Sequence, residues 1–217
     1  MNAAPLRFVE RPATGAPHGL LLLLHGVGAN EQSLAAVAME QDPRLHVVLP
    51  RGPLAFGPGA HGWFQVQFTL QGPVIDPEQA EASRRLLIDF VAGQQRRLGL
   101  APARTLVAGF SQGGIMSAGV GLTAPASVAG FAILSGRILP EIEPLVPADV
   151  GRHGLQALVM HGRHDSKLPF ALAERSDERL RHYGVAHELR AYDADHGLDA
   201  PMRADFRDWV ERVLALA

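Results

Sequence analysis

The sequence contains no cysteine. That absence excludes a disulfide scaffold, a thiolate zinc site, an iron–sulfur cluster and a cysteine nucleophile. Lysine is nearly absent too: Lys167 stands alone among arginines, a skew of composition rather than a physical feature. Neither sign of charge dominates, with 20 Lys and Arg against 22 Asp and Glu, so there is no electrostatic case for nucleic acid or an anionic membrane as main partner. Long hydrophobic runs are also missing. Leu20 to Leu24 is the longest leucine run, far below the roughly 20 apolar residues that cross a bilayer. Met1 to Glu10 lacks the charged start and apolar stretch of a targeting segment. The expectation is a soluble, cytoplasmic protein with no stable membrane insertion.

What is present suits one domain spanning residues 1–217. A chain of 217 residues that is 47% hydrophobic buries roughly 70% of its unfolded surface and needs no staple. Short apolar runs alternate with helical periods, which predicts an α/β architecture with a mostly parallel sheet covered by helices on both faces. Gly19 to Leu24, His46 to Leu49, Thr105 to Phe110, Val128 to Leu134 and Leu155 to Met160 read as strands. Each is a continuous apolar run, as strands covered on both faces should be. Ala186 to Tyr192 alternates and is placed nearer an edge.

Asp76-Pro77-Glu78-Gln79 carries an N-cap acid, a proline at the first helical position and a glutamine that reaches back, so a helix starts there. Phe206, Trp209, Val210, Val213 and Leu214 share one helical face, which makes Trp209 a core residue. Glu31 to Glu40 and Pro169 to His182 also read as helices. Pro50 to Val74, rich in Gly and Pro around Trp63, Phe64 and Phe68, fits neither period. A loop this long in a compact domain is usually functional.

Gly109-Phe110-Ser111-Gln112-Gly113 is a Gly-x-Ser-x-Gly pentapeptide. Its context makes it informative: a strand leads in, and the small-residue helical segment from Ile115 leads out. That is the strand, sharp turn and helix in which a serine is exposed at the top of a sheet, the alternative being an ordinary glycine-rich turn. A serine hydroxyl needs a base. His196, in Asp195-His196-Gly197 just past the last strand, is the candidate, since His182 lies in a polar helix and His187 near the start of a strand. Asp165 follows the strand that ends near His161, one loop before His196, and is the candidate acid. It would fix the imidazole tautomer without taking the proton. Asp193 and Asp195, on the loop of His196 itself, are expected to be solvated.

The strand ending at Leu24 leads into His25-Gly26-Val27-Gly28, a turn able to supply one backbone donor to a tetrahedral intermediate. The candidate oxyanion donors are the N–H groups of Val27 and Gln112. His25 and His161 precede glycines at strand ends and are read as hydrogen-bonded structural residues. His161, His164 and Asp165 lack metal-ligand spacing, so no metal and no cofactor is expected.

Together, His25-Gly26-Val27-Gly28-Ala29-Asn30, Gly109 to Gly114, Gly162-Arg163-His164-Asp165 with Pro169, and Asp195-His196-Gly197 resemble the bacterial phospholipase/carboxylesterase family of α/β-hydrolases, which includes small carboxylesterases and acyl-protein thioesterases. The resemblance runs from about Leu20 to the end. It implies ester or thioester hydrolysis through an acyl-serine, with Ser111, Asp165 and His196 as triad. Ala29-Asn30 stands where the thioesterase branch carries an acid, and Arg51-Gly52-Pro53 through Trp63-Phe64 is similar to the bacterial esterase branch, which weighs against protein depalmitoylation. Trp63 and Phe64 are candidates for the acyl pocket, with core packing of one of them as the alternative, and Gln65 is polar enough to face it. About twenty residues between Ser135 and Leu155 leave no room for a lid domain.

The expected function is hydrolysis of small-molecule carboxylic esters of short-to-medium acyl length. Thioester or lysophospholipid hydrolysis is the runner-up, and a catalytically silent small-molecule binder is the reading from another class. Oligomeric state stays open, a homodimer included.

Overall fold

The computed structural model describes residues 6–69 and 72–216. Residues 1–5 of the N-terminal stretch, and 70 and 71 of the long Gly- and Pro-rich segment, lie outside them. Seven strands form one sheet: β1 (Phe8–Arg11), β2 (Gly19–Leu24), β3 (Leu45–Pro50), β8 (Thr105–Phe110), β9 (Gly130–Leu134), β10 (Gln156–Gly162) and β11 (Ala186–Tyr192), in the order β1-β3-β2-β8-β9-β10-β11. Every pairing is parallel except β1 with β3. The register sets Leu22 beside Val107, Ala108 beside Ala132 and Val159 beside Ile133, so the apolar runs lie side by side.

Alternate residues of each strand enter two separate cores, as the two-residue period of a strand requires. Leu20, Leu22, Leu24, Val107, Phe131 and Val159 meet α2 (Pro77–Leu98), α3 (Gln112–Thr123) and α4 (Ala171–His182) on one face. Leu21, Leu23, Val47, Ala108, Leu134 and Met160 meet α1 (Ala35–Met39) and α5 (Ala200–Val213) on the other. Each fully buried Leu or Phe contributes roughly 1.5–3 kcal/mol. Trp209 packs in the second core, as its helical spacing predicts.

Local chemistry explains where the helices begin. The Asp76 carboxylate accepts from the N–H groups of Glu78 and Gln79, and Gly99 closes α2 at φ 65°. Asp199 accepts from the Met202 N–H and caps α5. The helix expected over Glu31 to Glu40 is shorter, because the Asn30 side chain accepts from the Gln32 N–H and Ser33 Oγ accepts from the Asn30 N–H. These turn contacts compete with the helical ones, so α1 starts only at Ala35.

Pro50 to Val74 is not one irregular loop. It holds two short hairpins, β4 (Leu54–Gly57) with β5 (Ala60–Gly62) and β6 (Val66–Thr69) with β7 (Gly72–Ile75). The connection from β9 to β10 contains only short 3-10 turns and no inserted lid. No helix among the described residues is long and apolar enough to cross a membrane.

Candidate active site

The carboxyl ends of β2, β8, β9, β10 and β11 bring the candidate residues together. Ser111 sits in the step from β8 to α3 at φ 54°, a left-handed conformation that side chains seldom adopt. Such a residue costs about 1–3 kcal/mol and persists only where its surroundings impose it. Here the Ser111 N–H donates to Leu134 O at 2.8 Å, holding the turn against β9. The flanking glycines are required by close approach. A Cβ on Gly109 would lie 2.3 Å from the Gly113 carbonyl carbon, and one on Gly113 would lie 2.0 Å from Leu24 O.

His196 Nε2 lies 3.1 Å from Ser111 Oγ, and its Nδ1 lies 2.7 Å from Asp165 Oδ2. With the Nδ1 proton directed at the carboxylate, Nε2 is free to accept from the serine hydroxyl. Asp165 is itself fixed: Oδ1 accepts from the N–H groups of Lys167 at 2.9 Å and Leu168 at 2.7 Å. Its side chain is fully buried and His161 Nε2 stands 3.2 Å from Oδ2. His161 Nε2 also faces Leu168 O at 2.7 Å. Both groups facing Nε2 are acceptors, so Nε2 is the donor, and burial holds the His161 pKa below its usual value. The structure therefore joins the three candidates of the triad in one relay, with His161 as a buried support.

Asp195 is exposed, as expected, but it is not merely solvated. Its Oδ1 accepts from the N–H groups of Ser166 and His196, both at 2.7 Å, and so ties the Asp165 loop to the His196 loop. These N–H donors, Ser166 first, lower its pKa. Ser135 Oγ donates to Gly197 O at 3.2 Å from the neighbouring loop. Nothing local in the sequence marks either contact, apart from the adjacency of Asp195 to His196.

Val27 and Gln112 both line the cavity that holds Ser111 and His196. Among the described residues, neither backbone N–H donates to another group, which leaves both available for an oxyanion. The turn carrying Val27 is braced from behind. His25 Nδ1 donates to Gly26 O at 2.8 Å and its Nε2 accepts from the Gly52 N–H at 2.9 Å. The Trp63 indole N–H donates to His25 O at 2.9 Å. Burial lowers the His25 pKa, keeping the ring neutral in this role. The Gln112 side chain holds the same segment, with Oε1 accepting from the Trp63 N–H and Nε2 donating to Phe64 O, both at 2.7 Å.

Of the three residues expected at the acyl pocket, only Phe64 lines the cavity. Trp63 is wholly buried in the first core, beneath the turn that carries Val27. Gln65 is exposed and is not among the residues lining the cavity; its backbone N–H donates to Gln79 Oε1 at 2.8 Å. The cavity is about 1150 Å³, with Leu34, Val37, Phe110 and the β6–β7 residues Val66 and Ile75 among its walls. The long segment thus reaches the site through Phe64 and its second hairpin. His164 turns away to pair with Asp193 at 2.7 Å, and among the described residues no three His, Cys, Asp or Glu side chains form a metal-holding group.

The family model described as phospholipase/carboxylesterase matches residues 6–213. Acyl-protein thioesterase 1 of Gibberella zeae is 26% identical over 208 residues, covering 87% of this chain and 86% of that protein. Carboxylesterase SOBER1 of Arabidopsis thaliana is 24% identical over 212 residues, covering 89% of this chain and 90% of that one. Among solved structures, esterase PE8 superposes with a TM-score of 0.82 at 24% identity, covering 97% of this chain and 100% of its own.

Proposed function

Because the chain belongs to the phospholipase/carboxylesterase family of α/β-hydrolases, we propose that it is a serine esterase acting on small-molecule carboxylic esters of short-to-medium acyl length. The observation that carries the proposal is the continuous relay from Ser111 Oγ through His196 to Asp165, with contacts of 3.1 and 2.7 Å. In the first half-reaction, Ser111 Oγ attacks the ester carbonyl while His196 Nε2 takes the hydroxyl proton. The oxyanion lies between the N–H groups of Val27 and Gln112, each worth roughly 3–4 kcal/mol in the transition state when preorganised. Collapse breaks the bond to the alcohol oxygen, which leaves with the proton from His196. Water then attacks the acyl-serine, gives its proton to His196, and the acid departs as Ser111 recovers its own. Asp165 holds the tautomer and stabilises the imidazolium throughout. These side chains handle both protons and the electron pairs, so the step calls on no cofactor.

Thioester hydrolysis is the second reading, favoured by the thioesterase relative, and it needs no different residues. A fluorophosphonate probe separates catalysis from silent binding: covalent labelling of the wild type that is lost in Ser111→Ala supports the esterase, whereas an unlabelled wild type refutes it. p-Nitrophenyl esters and acyl-CoA thioesters of graded chain length then rank ester against thioester.

A further inference from the structure

Charge within the cavity is one-sided. Its charged lining residues are Arg137, Lys167 and Arg203, and no Asp or Glu is among the described residues that line it. Asp165 lies buried behind His196 and is not among the lining residues. Arg203 is already neutralised: its Nε stands 3.0 Å from both carboxylate oxygens of Glu40, and Nη1 donates to Leu198 O at 2.8 Å.

Arg137 and Lys167 are different. Arg137 Nε is buried without a hydrogen-bond partner, and among the described residues the guanidinium makes no hydrogen bond or ion pair. Its charged neighbours include Arg175 and Arg179, which add like charge, and Glu141, which lies beyond ion-pair distance. Arg137 is half-buried, and a partly desolvated cation with no counter-charge is unfavourable, a deficit that a bound anion reduces. Lys167, the chain's single lysine, has an exposed side chain with no ion pair among the described residues. Its backbone N–H donates to Asp165 Oδ1, which fixes the residue beside the candidate triad.

The sheet order gives these cations a direction. Arg137 follows β9 and Lys167 follows β10, on one side of Ser111 at the end of β8, whereas the apolar Leu34 and Val37 follow β2 on the other side. The approach is close: a Cβ on Gly136, next to Arg137, would lie 2.8 Å from Ser111 O. We propose that the site selects esters carrying an anionic oxygen group, a carboxylate or a phosphate, a few bonds from the scissile carbonyl, held by Arg137 and Lys167. A guanidinium matches either group with paired N–H donors, and the lysine adds a mobile second charge. This inference rests on the reading of Ser111 as an esterase nucleophile.

Two matched substrate pairs test it. The p-nitrophenyl monoester of glutarate against p-nitrophenyl pentanoate places a carboxylate on the acyl side. Butyryl glycerol 3-phosphate against butyryl glycerol places a phosphate on the alcohol side. The expected result is that the anionic member of at least one pair is preferred by about tenfold or more in kcat/KM, and that this ratio collapses in Arg137→Met and falls in Lys167→Met. The pair that responds names the group. The exposed Lys167 keeps the test decisive should Arg137→Met misfold. Preference for the neutral member in both pairs, or a ratio unmoved by either substitution, overturns the inference while neutral-ester hydrolysis lost in Ser111→Ala leaves the esterase reading intact. If none of the four esters is cleaved, or cleavage survives Ser111→Ala, the esterase reading itself fails and the inference with it.

Discussion

Trp63→Phe separates two roles that an aromatic residue in this segment can play. The indole is fully buried, and its N–H donates to His25 O at 2.9 Å. Phenylalanine keeps most of the apolar surface but has no donor, so the His25 carbonyl is left buried and unpaired, at about 1–3 kcal/mol. The lost ring volume adds a cavity term, bringing the total to roughly 2–4 kcal/mol. For a chain of this size that is a fall in Tm of about 5–15 °C. His25 begins the turn that carries Val27, so the proposed oxyanion donor also loses its support from below. A displacement approaching 1 Å costs up to about a hundredfold in rate, and kcat should fall between roughly tenfold and that limit, with KM on p-nitrophenyl butyrate nearly unchanged. Thermal unfolding and steady-state kinetics measure both. Preserved kcat in a destabilised variant would show that the turn is held without Trp63. A shift in acyl-length preference with stability intact would return the residue to the acyl pocket and contradict its role beneath the turn.

Asp165→Asn offers the imidazole an amide in place of its carboxylate, favouring the wrong tautomer, and kcat should fall by about 10⁴; a loss below tenfold would remove Asp165 from the relay. Asp195→Ala frees the N–H groups of Ser166 and His196, so kcat should drop several-fold at constant KM, whereas a merely solvated carboxylate leaves kcat unmoved. Glu31 pairs with Arg51, whose hydrogen bond holds the Glu31 pKa at about 2 against an ordinary 4.5. Its stabilisation is therefore complete above pH 4.5 and is lost as pH falls towards 2. Urea titrations should find Glu31→Gln less stable than wild type at pH 6, with the gap closing on acidification; a gap independent of pH contradicts that origin.

The buried strands were legible because parallel strands covered on both faces read as unbroken apolar runs. Thr105 to Phe110 coincides with β8, and Ala186 to Tyr192, legible instead by its alternation, coincides with the edge strand β11. β1 was not legible, since Phe8–Arg11 is too short to display a period. The hairpins within Pro50 to Val74 escaped for the same reason, their strands being only three or four residues long. Ser111, Asp165 and His196 were legible because each sits at the carboxyl end of a strand that announces itself. The places of Trp63, Gln65 and Asp195 depended on contacts with distant or non-local partners: His25, Gln79 and Ser166. Arg137 is one arginine among many in the sequence, and only the fold shows that it stands unpaired at the cavity wall.

The proposed chemistry passes through an acyl-serine on Ser111. Acid-quenched turnover of p-nitrophenyl butyrate followed by peptide mass spectrometry tests it directly. The expected result is a butyryl adduct on the peptide containing Ser111, formed with a burst of p-nitrophenol and absent in Ser111→Ala. Turnover that persists in Ser111→Ala, or a wild type that hydrolyses the ester with the adduct on another residue, would contradict it.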